Sequence, residues 1–408
     1  MAPTKRLDIK KRAGLGTAAV ALVVLACACG PSPGPPPAPE QQSSGATPVS
    51  PVTTIVPSPS TTPTTSPSPT TTPTTTTPPQ TGGVSGGGVG FAEAYLPMFE
   101  SSTDLNHEFD MIQATGAKWV RFDVMWAVVQ AGGPTSWDWS ATDAAVAAAN
   151  ARGLHVLADL DYTPTWARPS GQSDQWGPTD PTGFAAFAQA AAARYAPEGV
   201  NTFEIWNEPN TGFWQPAPNP VAYTALLKAS YTAIHSVDPG ATVVSGGLAP
   251  QGPTLDWVAP DGSGMSPWHF LTAMYAAGAA GSFDAVGLHP YAIPGGPTAA
   301  GTWNTFQQTP AIHSLMAANG DGSKAIWGTE AGYYTGTATS ADSLQQQATD
   351  ITNYVTMWQQ WSYVGPIFLY TLRDMGTDPT QSEENFGLLY NDYTPKPAYT
   401  TLTNLLSG

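Results

Sequence analysis

Apolar and polar positions alternate in a regular way from residue 88 onward. Short runs rich in β-branched and aromatic residues are followed by longer stretches whose apolar residues recur at helical spacing, which is the pattern of parallel βα units. The runs of the first kind number eight, at 88–95, 119–126, 154–162, 200–209, 241–250, 283–292, 324–334 and 365–374. Helical stretches include 140–153, 183–197, 221–237, 343–361 and 397–408. Eight such units in about 320 residues predict an α/β fold, a closed (β/α)8 TIM barrel.

An open doubly wound sheet is the other common arrangement of βα units, and it often binds nucleotides. Its glycine signatures, GxGxxG and GxxxxGK followed by Ser or Thr, do not occur in the sequence. A nucleotide site is therefore not predicted. In (β/α)8 barrels the chemistry lies at the C-terminal ends of the strands, so candidate site residues are sought there.

The first 90 residues differ sharply from the rest, because the first aromatic residue of the chain is Phe91. Residues 30–87 consist mainly of Pro, Thr, Ser and Gly, a composition that cannot bury enough apolar surface to offset chain entropy. We expect this segment to be a disordered tether. The folded domain is predicted to cover residues 88–408.

Residues 1–29 have the order of an export signal, with five Lys or Arg residues before an apolar run at 13–26. The run is too short to span a bilayer comfortably, and both cysteines of the protein, Cys27 and Cys29, lie at its end. The stretch VLACACG resembles a bacterial lipoprotein signal, which implies lipidation of Cys27. Because Leu25 departs from the usual small residue, Cys29 stays an alternative, as does an ordinary cleaved signal. The expected location is the cell surface, with a lipid anchor in the bacterial membrane.

Charge and cysteine content narrow the possible partners. Residues 88–408 contain nine basic and 28 acidic residues, which leaves a net charge of −19. So negative a surface repels phosphate backbones and anionic headgroups, which argues against nucleic acid and favours neutral substrates. This segment has no cysteine, so disulfides and thiolate sites are excluded. No HExxH or similar spacing occurs, and neither a metal nor another cofactor is predicted.

Polar and aromatic side chains gather at the predicted strand ends. They are Glu93, Arg121, Asp123, Trp126, Asp159, Asp161, Trp166, Asn207, Glu208, His289, Tyr291, Glu330 and Tyr333. Hydrolysis of a glycosidic bond requires two carboxyl groups, one to protonate the leaving oxygen and one to stabilise or attack the anomeric carbon. Glu208 and Glu330, at the ends of the fourth and seventh runs, are the strongest pair.

The motifs around this pair resemble those of glycoside hydrolase clan A. FEIWNEPN ends the fourth run and IWGTEAGY ends the seventh; EIWNEPN with the following GFW is similar to family 39, and VRFDVMW on the second run is similar to family 5. The resemblance covers essentially all of residues 88–408. It implies a retaining glycosidase that acts on a poly- or oligosaccharide, and we expect it to be a monomer.

The resemblance also implies roles for individual residues. By position, Glu208 corresponds to the acid/base and Glu330 to the nucleophile. Asn207 would hold the 2-hydroxyl of the sugar, and Arg121 corresponds to the arginine that keeps the nucleophile ionised. His289 and Tyr291 lie two apart in a strand, so both point inward, and they match residues near the nucleophile.

Several residues have two interpretations. Trp166 and Trp214 follow the third and fourth runs, where an indole can stack on a sugar or cap the core. Asp123, Asp159 and Asp161 could bind sugar hydroxyls or partner Arg121, whereas a structural role is favoured for Glu93 and expected for the deeper Glu204. Many clan members have a tryptophan at the end of strand eight. This chain has Tyr370 and Arg373 there, and Arg373 suggests an acidic or otherwise unusual substrate.

Two functions compete at this point. The first is a retaining hydrolase that works through a covalent glycosyl-enzyme intermediate. The second is a non-catalytic, glycan-binding surface lipoprotein on the same scaffold, because a fold does not determine a function. The presence of both Glu208 and Glu330 favours the hydrolase.

The lipoprotein hypothesis predicts the effect of Cys27→Ala. The variant should move from the membrane fraction to the medium, or accumulate as an uncleaved precursor, because the lipid on this cysteine supplies the anchoring apolar surface. Cell fractionation with immunoblotting measures this, and Cys29→Ala is the matched variant. Unchanged fractionation of both variants would rule out lipidation at either cysteine.

Overall fold

The structure is a computed structural model that describes residues 87–407, so Cys27, the predicted signal and all of the predicted tether except Gly87 lie outside the described residues. Eight parallel strands close into a barrel in sequence order, with β1 paired to β8. They are β1 (Val89–Ala92), β2 (Trp119–Met125), β3 (His155–Asp161), β4 (Thr202–Ile205), β5 (Thr242–Ser245), β6 (Ala285–Leu288), β7 (Ala325–Ala331) and β8 (Val364–Leu369). The predicted (β/α)8 TIM barrel is confirmed.

Helices surround the barrel and connect its strands. They are α1 (Ser102–Ala114), the single turn α2 (Trp126–Val129), α3 (Ser140–Asn150), α4 (Pro181–Tyr195), α5 (Pro220–Val237), α6 (Pro267–Ala276), α7 (Thr305–Ala318), α8 (Leu344–Trp358) and α9 (Pro397–Ser407). Local signals explain where many of them begin. Ser101, Asp180 and Asn219 each accept a hydrogen bond from a backbone N–H of the first turn, and proline occupies the first position of α4, α5 and α6. Within residues 87–407, no helix is long and apolar enough to cross a membrane.

All eight strands end earlier than their apolar runs predict. The run at 200–209 forms a strand only as far as Ile205, because Trp206 and Glu208 adopt positive φ angles of 72° and 45°. Positive φ is incompatible with an extended strand. The chain therefore leaves the sheet at this point, and Glu208 lies in the loop above β4.

The barrel interior changes character along its axis. Its lower part is apolar and contains Leu157, Val244, Ala285 and Phe368, all at most 1% exposed. Above this layer, Arg121 points inward from β2 and contacts Asp159 of β3 and Glu204 of β4. A charged layer therefore lies directly beneath the C-terminal ends of the strands.

Arg373 lies at the seam between the first and last βα units. Its Nε donates to Oε1 of Glu108 on α1, its Nη2 donates to Oε1 of Glu100 at 2.8 Å, and its guanidinium lies over the ring of Tyr393. Glu108 is fully buried and Arg373 is 14% exposed. The suggestion that Arg373 selects an acidic substrate is therefore wrong, because its guanidinium is already engaged by two carboxylates of the scaffold.

This assignment predicts the effect of Arg373→Ala on stability. Removing the guanidinium leaves Glu108 buried without its ion-pair partner, which should lower the free energy of unfolding by about 3–5 kcal/mol. Urea denaturation followed by circular dichroism measures the change. Arg194→Ala is the control: that arginine forms a surface pair with Asp143 and is 41% exposed, so its loss should cost at most about 1 kcal/mol. Equal effects of the two substitutions would contradict the structural role.

Candidate active site

Glu208 and Glu330 face each other at the C-terminal end of the barrel. Glu330 belongs to β7, and Glu208 follows β4 by three residues. One carboxylate oxygen of each lies within 4.8 Å of the other and of a ring nitrogen of His289. Glu208 is 6% exposed and the Glu330 side chain is 12% exposed. The fold thus brings together the two carboxyl groups that the sequence singled out.

Glu330 is held by two donors, Arg121 on β2 and Tyr291 in the loop after β6. His289 and Tyr291 were predicted to lie within a strand, but β6 ends at Leu288, so both follow it. The hydroxyl of Tyr291 donates to Oε1 at 2.6 Å, and Nη1 of Arg121 donates to Oε2 at 3.3 Å. Burial and the neighbouring Glu330 raise the pKa of Tyr291, so this phenol keeps its proton and remains a donor. Each oxygen of Glu330 therefore has one donor, which restricts rotation of the carboxylate.

Arg121 connects Glu330 to the interior of the barrel. Its Nε donates to Glu204 and its Nη2 donates to Asp159, both at 2.6 Å. The same Nη2 donates to Oδ1 of Asn207 at 2.9 Å. The side chain is 1% exposed, and the adjacent carboxylates raise its pKa although burial opposes this. Glu204 has the structural role expected for it, and Asn207 is oriented by the same guanidinium as Glu330.

Glu208 is in a different environment. Burial raises its pKa to about 7, although the charge of Arg121 opposes the increase. Its Oε1 lies 2.9 Å from Nδ1 of His289. Burial lowers the pKa of His289 to about 4, so the imidazole is neutral near pH 7 and cannot supply a full positive charge to its neighbour. Glu208 is therefore a carboxyl group that keeps its proton close to neutral pH.

A glycine permits the approach of His289 to the pair. A Cβ atom on Gly247, in the loop after β5, would lie 2.1 Å from Nε2 of His289 and 2.6 Å from Oγ1 of Thr329. Any side chain here would displace the imidazole that contacts Glu208. The Gly-Gly pair within the fifth apolar run is the only sequence signal for this requirement, and it does not show which side chain approaches the glycine.

The two candidate tryptophans have different environments. Trp166 is 37% exposed, and its indole N–H donates to the carbonyl oxygen of Gln130 at 2.7 Å. Trp214 is 4% exposed and packs against Trp206 and Tyr223, with ring centroids 5.0 and 5.8 Å apart. The structure favours core capping for Trp214, whereas part of the Trp166 ring remains available to a ligand.

Glu93 has the structural role that was favoured for it. It is fully buried and accepts hydrogen bonds from Oγ1 of Thr371 at 2.8 Å and from the backbone N–H of Leu372 at 3.1 Å. Burial is the main cause of its raised pKa, to which Glu108 also contributes. These bonds join the end of β1 to the segment after β8, so Glu93 reinforces the same seam as Arg373.

Glu383 is a further carboxyl group near the pair, and sequence reasoning missed it. Burial raises its pKa to about 8, with further contributions from the charges of Glu330 and Glu208. Hydrogen bonds within the loop hold its conformation: Oε2 of Glu384 accepts from the backbone N–H groups of Thr377 and Asp378, both at 2.9 Å. Its position in a long loop after β8 gave no motif to identify it.

A cavity of about 820 Å³ lies between the loops that follow β7 and β8. Its lining includes Asp342, Asp374, Asn385 and Tyr390, but neither Glu208 nor Glu330. The two glutamates therefore do not line this cavity, although both lie at the same end of the barrel.

Comparison with known proteins relates this geometry to a family. The model of the cellulase family, glycosyl hydrolase family 5, matches residues 81–310. The matched segment contains Arg121, Asn207, Glu208 and His289 but ends before β7, so it does not include Glu330. No curated protein matches the sequence.

Solved structures share the fold at low sequence identity. A family 39 glycoside hydrolase from Bacteroides cellulosilyticus WH2 is 24% identical with a TM-score of 0.61, and the match covers 78% of this chain but 63% of that one, less than two thirds of its length. A monomeric beta-xylosidase from Caulobacter crescentus CB15 is 20% identical with a TM-score of 0.60, covering 79% and 69% of the two chains. GH5_18 from Streptomyces cattleya, solved in complex with GlcNAc, is 19% identical with a TM-score of 0.59, covering 79% and 80%.

The raised pKa of Glu208 predicts a pH-dependent effect of Glu208→Gln on stability. The folded protein keeps this proton up to about pH 7, whereas the unfolded chain releases it near pH 4.5. The stability that this bound proton contributes is fully present below pH 4.5, the pKa of the group in the unfolded chain. It is lost as the pH rises through about 7, the pKa of the group in the folded protein. Glutamine cannot ionise, so above about pH 8 the variant should be more stable than the wild type by up to about 3 kcal/mol, and the difference should vanish near pH 4.

Urea denaturation of both proteins across this pH range measures the difference. Glu198→Gln is the control, because this glutamate is exposed and lies before β4, where a substitution should change the stability little. A pH-independent difference between Glu208→Gln and the wild type would contradict the raised pKa.

Proposed function

The chain belongs to glycosyl hydrolase family 5, and from this premise we propose that it hydrolyses O-glycosidic bonds of a poly- or oligosaccharide with retention of anomeric configuration. Glu330 is the nucleophile and Glu208 is the acid/base in this mechanism. The substrate is a saccharide, and the reaction needs no cofactor beyond these side chains.

The separation of the two carboxyl groups is the observation that carries the proposal. Retaining glycosidases place their carboxyl groups about 5–5.5 Å apart, whereas inverting enzymes leave about 6.5–9.5 Å so that water can enter between acid and base. The best-placed oxygens of Glu208 and Glu330 lie within 4.8 Å of each other, which is nearer to the retaining spacing than to the inverting spacing. Direct attack by one carboxylate on the anomeric carbon is the mechanism that fits this distance.

The environments of the two glutamates assign their roles in the first step. Glu208, with its pKa raised to about 7, holds the proton that the leaving glycosidic oxygen requires. Glu330 is aligned by Tyr291 and Arg121, which hold one oxygen each. As Glu330 bonds to the anomeric carbon, the bond to the leaving oxygen breaks and that oxygen takes the proton of Glu208.

The second step reverses these movements with water as the acceptor. Glu208 is now ionised and removes a proton from water as the water attacks the anomeric carbon, which breaks the bond to Glu330 and restores both carboxyl groups. The neutral imidazole of His289, 2.9 Å from Glu208, leaves the carboxyl free to exchange its proton in each half of the cycle. A pKa near 7 suits both directions of transfer at neutral pH.

The surrounding residues suggest how a sugar is held. Oδ1 of Asn207 accepts from Arg121, so the amide NH₂ is oriented away from that bond and can donate to the 2-hydroxyl of the sugar. The partly exposed ring of Trp166 offers an apolar face for stacking. With the arginines at 121 and 373 both engaged by carboxylates, a neutral saccharide fits this site better than an acidic one.

The cellular location forms part of the same proposal. The charged and apolar segments of residues 1–29 and the two cysteines at their end support export and lipid anchoring. The Pro/Thr-rich segment at 30–87 would then separate the catalytic barrel from the membrane surface. An enzyme so placed acts on extracellular saccharides.

Azide rescue tests the assigned roles. Glu330→Ala removes the covalent route for every substrate, and azide, which attacks from the vacated face, should yield a glycosyl azide of inverted configuration. Glu208→Ala should lower kcat/KM on a natural glycoside about 10²–10⁴-fold and much less on an aryl glycoside with a good leaving group. Azide attacks the glycosyl-enzyme without a base, so this variant should yield a glycosyl azide of retained configuration. NMR of the products distinguishes the two.

Glu198→Ala is the control for this pair and should keep wild-type turnover, because that glutamate is exposed and remote from the site. Covalent labelling by activated 2-fluoro glycosides should mark Glu330 in the wild type. An inverted azide from Glu208→Ala would reverse the assignment. Absence of both labelling and turnover across a broad panel of glycosides would favour the non-catalytic alternative.

A further inference from the structure

Three aspartates form a cluster beside the catalytic residues at the C-terminal ends of β2 and β3. Asp123 pairs laterally with Asp159 in the sheet, and Asp161 is two residues farther along β3. One carboxylate oxygen from each lies within 4.8 Å of the other two. Asp159 and Asp161 are fully buried and Asp123 is 3% exposed.

Arg121 compensates only part of the negative charge of this cluster. Arg121 is bonded to Oδ2 of Asp159, but its other donors serve Glu204, Glu330 and Asn207. Within residues 87–407, neither oxygen of Asp161 has a hydrogen-bond donor, and Oδ1 of Asp159 also has none. Burying an ionised carboxylate that accepts no hydrogen bond costs free energy of folding. The three aspartates therefore require either a bound cation or protons on their carboxyl groups.

We propose that Asp123, Asp159 and Asp161 bind a hard divalent cation, with Ca²⁺ as the best fit. The donors are all carboxylate oxygens, the ligands that Ca²⁺, Mg²⁺ and Mn²⁺ prefer and that zinc sites rarely use alone. Two oxygens on opposite sides of a Ca²⁺ ion at about 2.4 Å lie about 4.8 Å apart, so oxygens no farther apart than this can share one ion. Histidine spacing in the sequence gave no indication of this site, because no histidine takes part.

A bound divalent ion would balance the local charge. Asp123 and Asp161 are the two cluster members that Arg121 does not bond, and a charge of +2 neutralises both. Other groups that face the cluster are acidic or neutral: Glu204 from β4, Glu330 from β7, Tyr95 after β1, and Tyr162 and Asp174 after β3. Asp123 is the slightly exposed member, so an ion would enter past it, and water would complete the coordination.

Protons are the rival explanation. Burial raises the pKa of Asp123 to about 7 and that of Asp161 well above its usual range, so without a cation the cluster would hold protons at neutral pH. The two explanations differ in what they require from the solution. Protonated aspartates need no metal, whereas a cation site predicts stoichiometric metal binding that strengthens as pH rises and protons leave the ligands.

Metal content and thermal unfolding of the full chain test the proposal. After dialysis against EDTA and return to CaCl₂, plasma mass spectrometry should find about one Ca²⁺ per chain at pH 8. At a hundredfold excess over Kd, the midpoint of unfolding should rise by roughly 4 °C relative to NaCl of the same ionic strength. MgCl₂ and MnCl₂ are the comparison ions. These readouts do not depend on glycosidase activity, so they stand apart from the proposed function.

Asp161→Asn should abolish both the stoichiometric metal and the thermal shift, because it removes the charge while keeping the shape of the side chain. Asp321→Asn is the matched control: Asp321 is also a buried aspartate, 7% exposed, but it lies before β7 at the opposite end of the barrel, and its variant should keep the full shift. A shift that persists in Asp161→Asn would mean non-specific binding to the acidic surface and would overturn the proposal. If Asp161→Asn does not fold, the wild-type measurements decide, since wild-type protein without bound metal or shift also overturns it.

Discussion

The buried guanidinium of Arg121 is the interaction on which the rest of the site depends. It bonds a carboxylate on β3, another on β4, the nucleophile candidate Glu330 on β7, and Asn207. A planar group with five donors can satisfy partners in several directions at fixed angles, which an ammonium group cannot do. Strands that are distant in sequence are thereby held at the spacing that brings Glu330 within 4.8 Å of Glu208.

The partners of each carboxyl group then separate the properties of the two glutamates. Glu208 has a neutral imidazole as its closest partner, so desolvation dominates and raises its pKa to about 7. Glu330 receives a hydrogen bond on each oxygen, one of them from a cation. The difference comes from which donors reach each carboxyl group, since both have similar low exposure. Such an asymmetry is what the proposed acid and nucleophile roles require.

The sequence predicted correctly those features that follow from the regular alternation of strands and helices. Eight apolar runs predicted eight strands, and the position of Glu330 at the end of β7 followed from this count. Arg121, predicted at the end of strand two, is instead the third residue of β2, and its long side chain reaches the site from there. The sequence predicted less well the contacts of residues whose side chains are long or which lie in loops. Arg373 lies near the end of strand eight, but its side chain reaches back to α1 instead of into the site. Trp214 follows the motif of strand four, yet its ring turns into the core.

The sequence by itself determined the barrel, the family resemblance and the two glutamates, because alternation of apolar segments and strand-end motifs are local properties that remain visible along the chain. Only the tertiary structure decided the distance between the glutamates, the partners of Arg121 and the crowding of Asp123, Asp159 and Asp161 beside them. These features depend on how eight strands close and on which side chains are desolvated together. Electrostatic effects of that kind arise between residues far apart in sequence, so no local pattern records them.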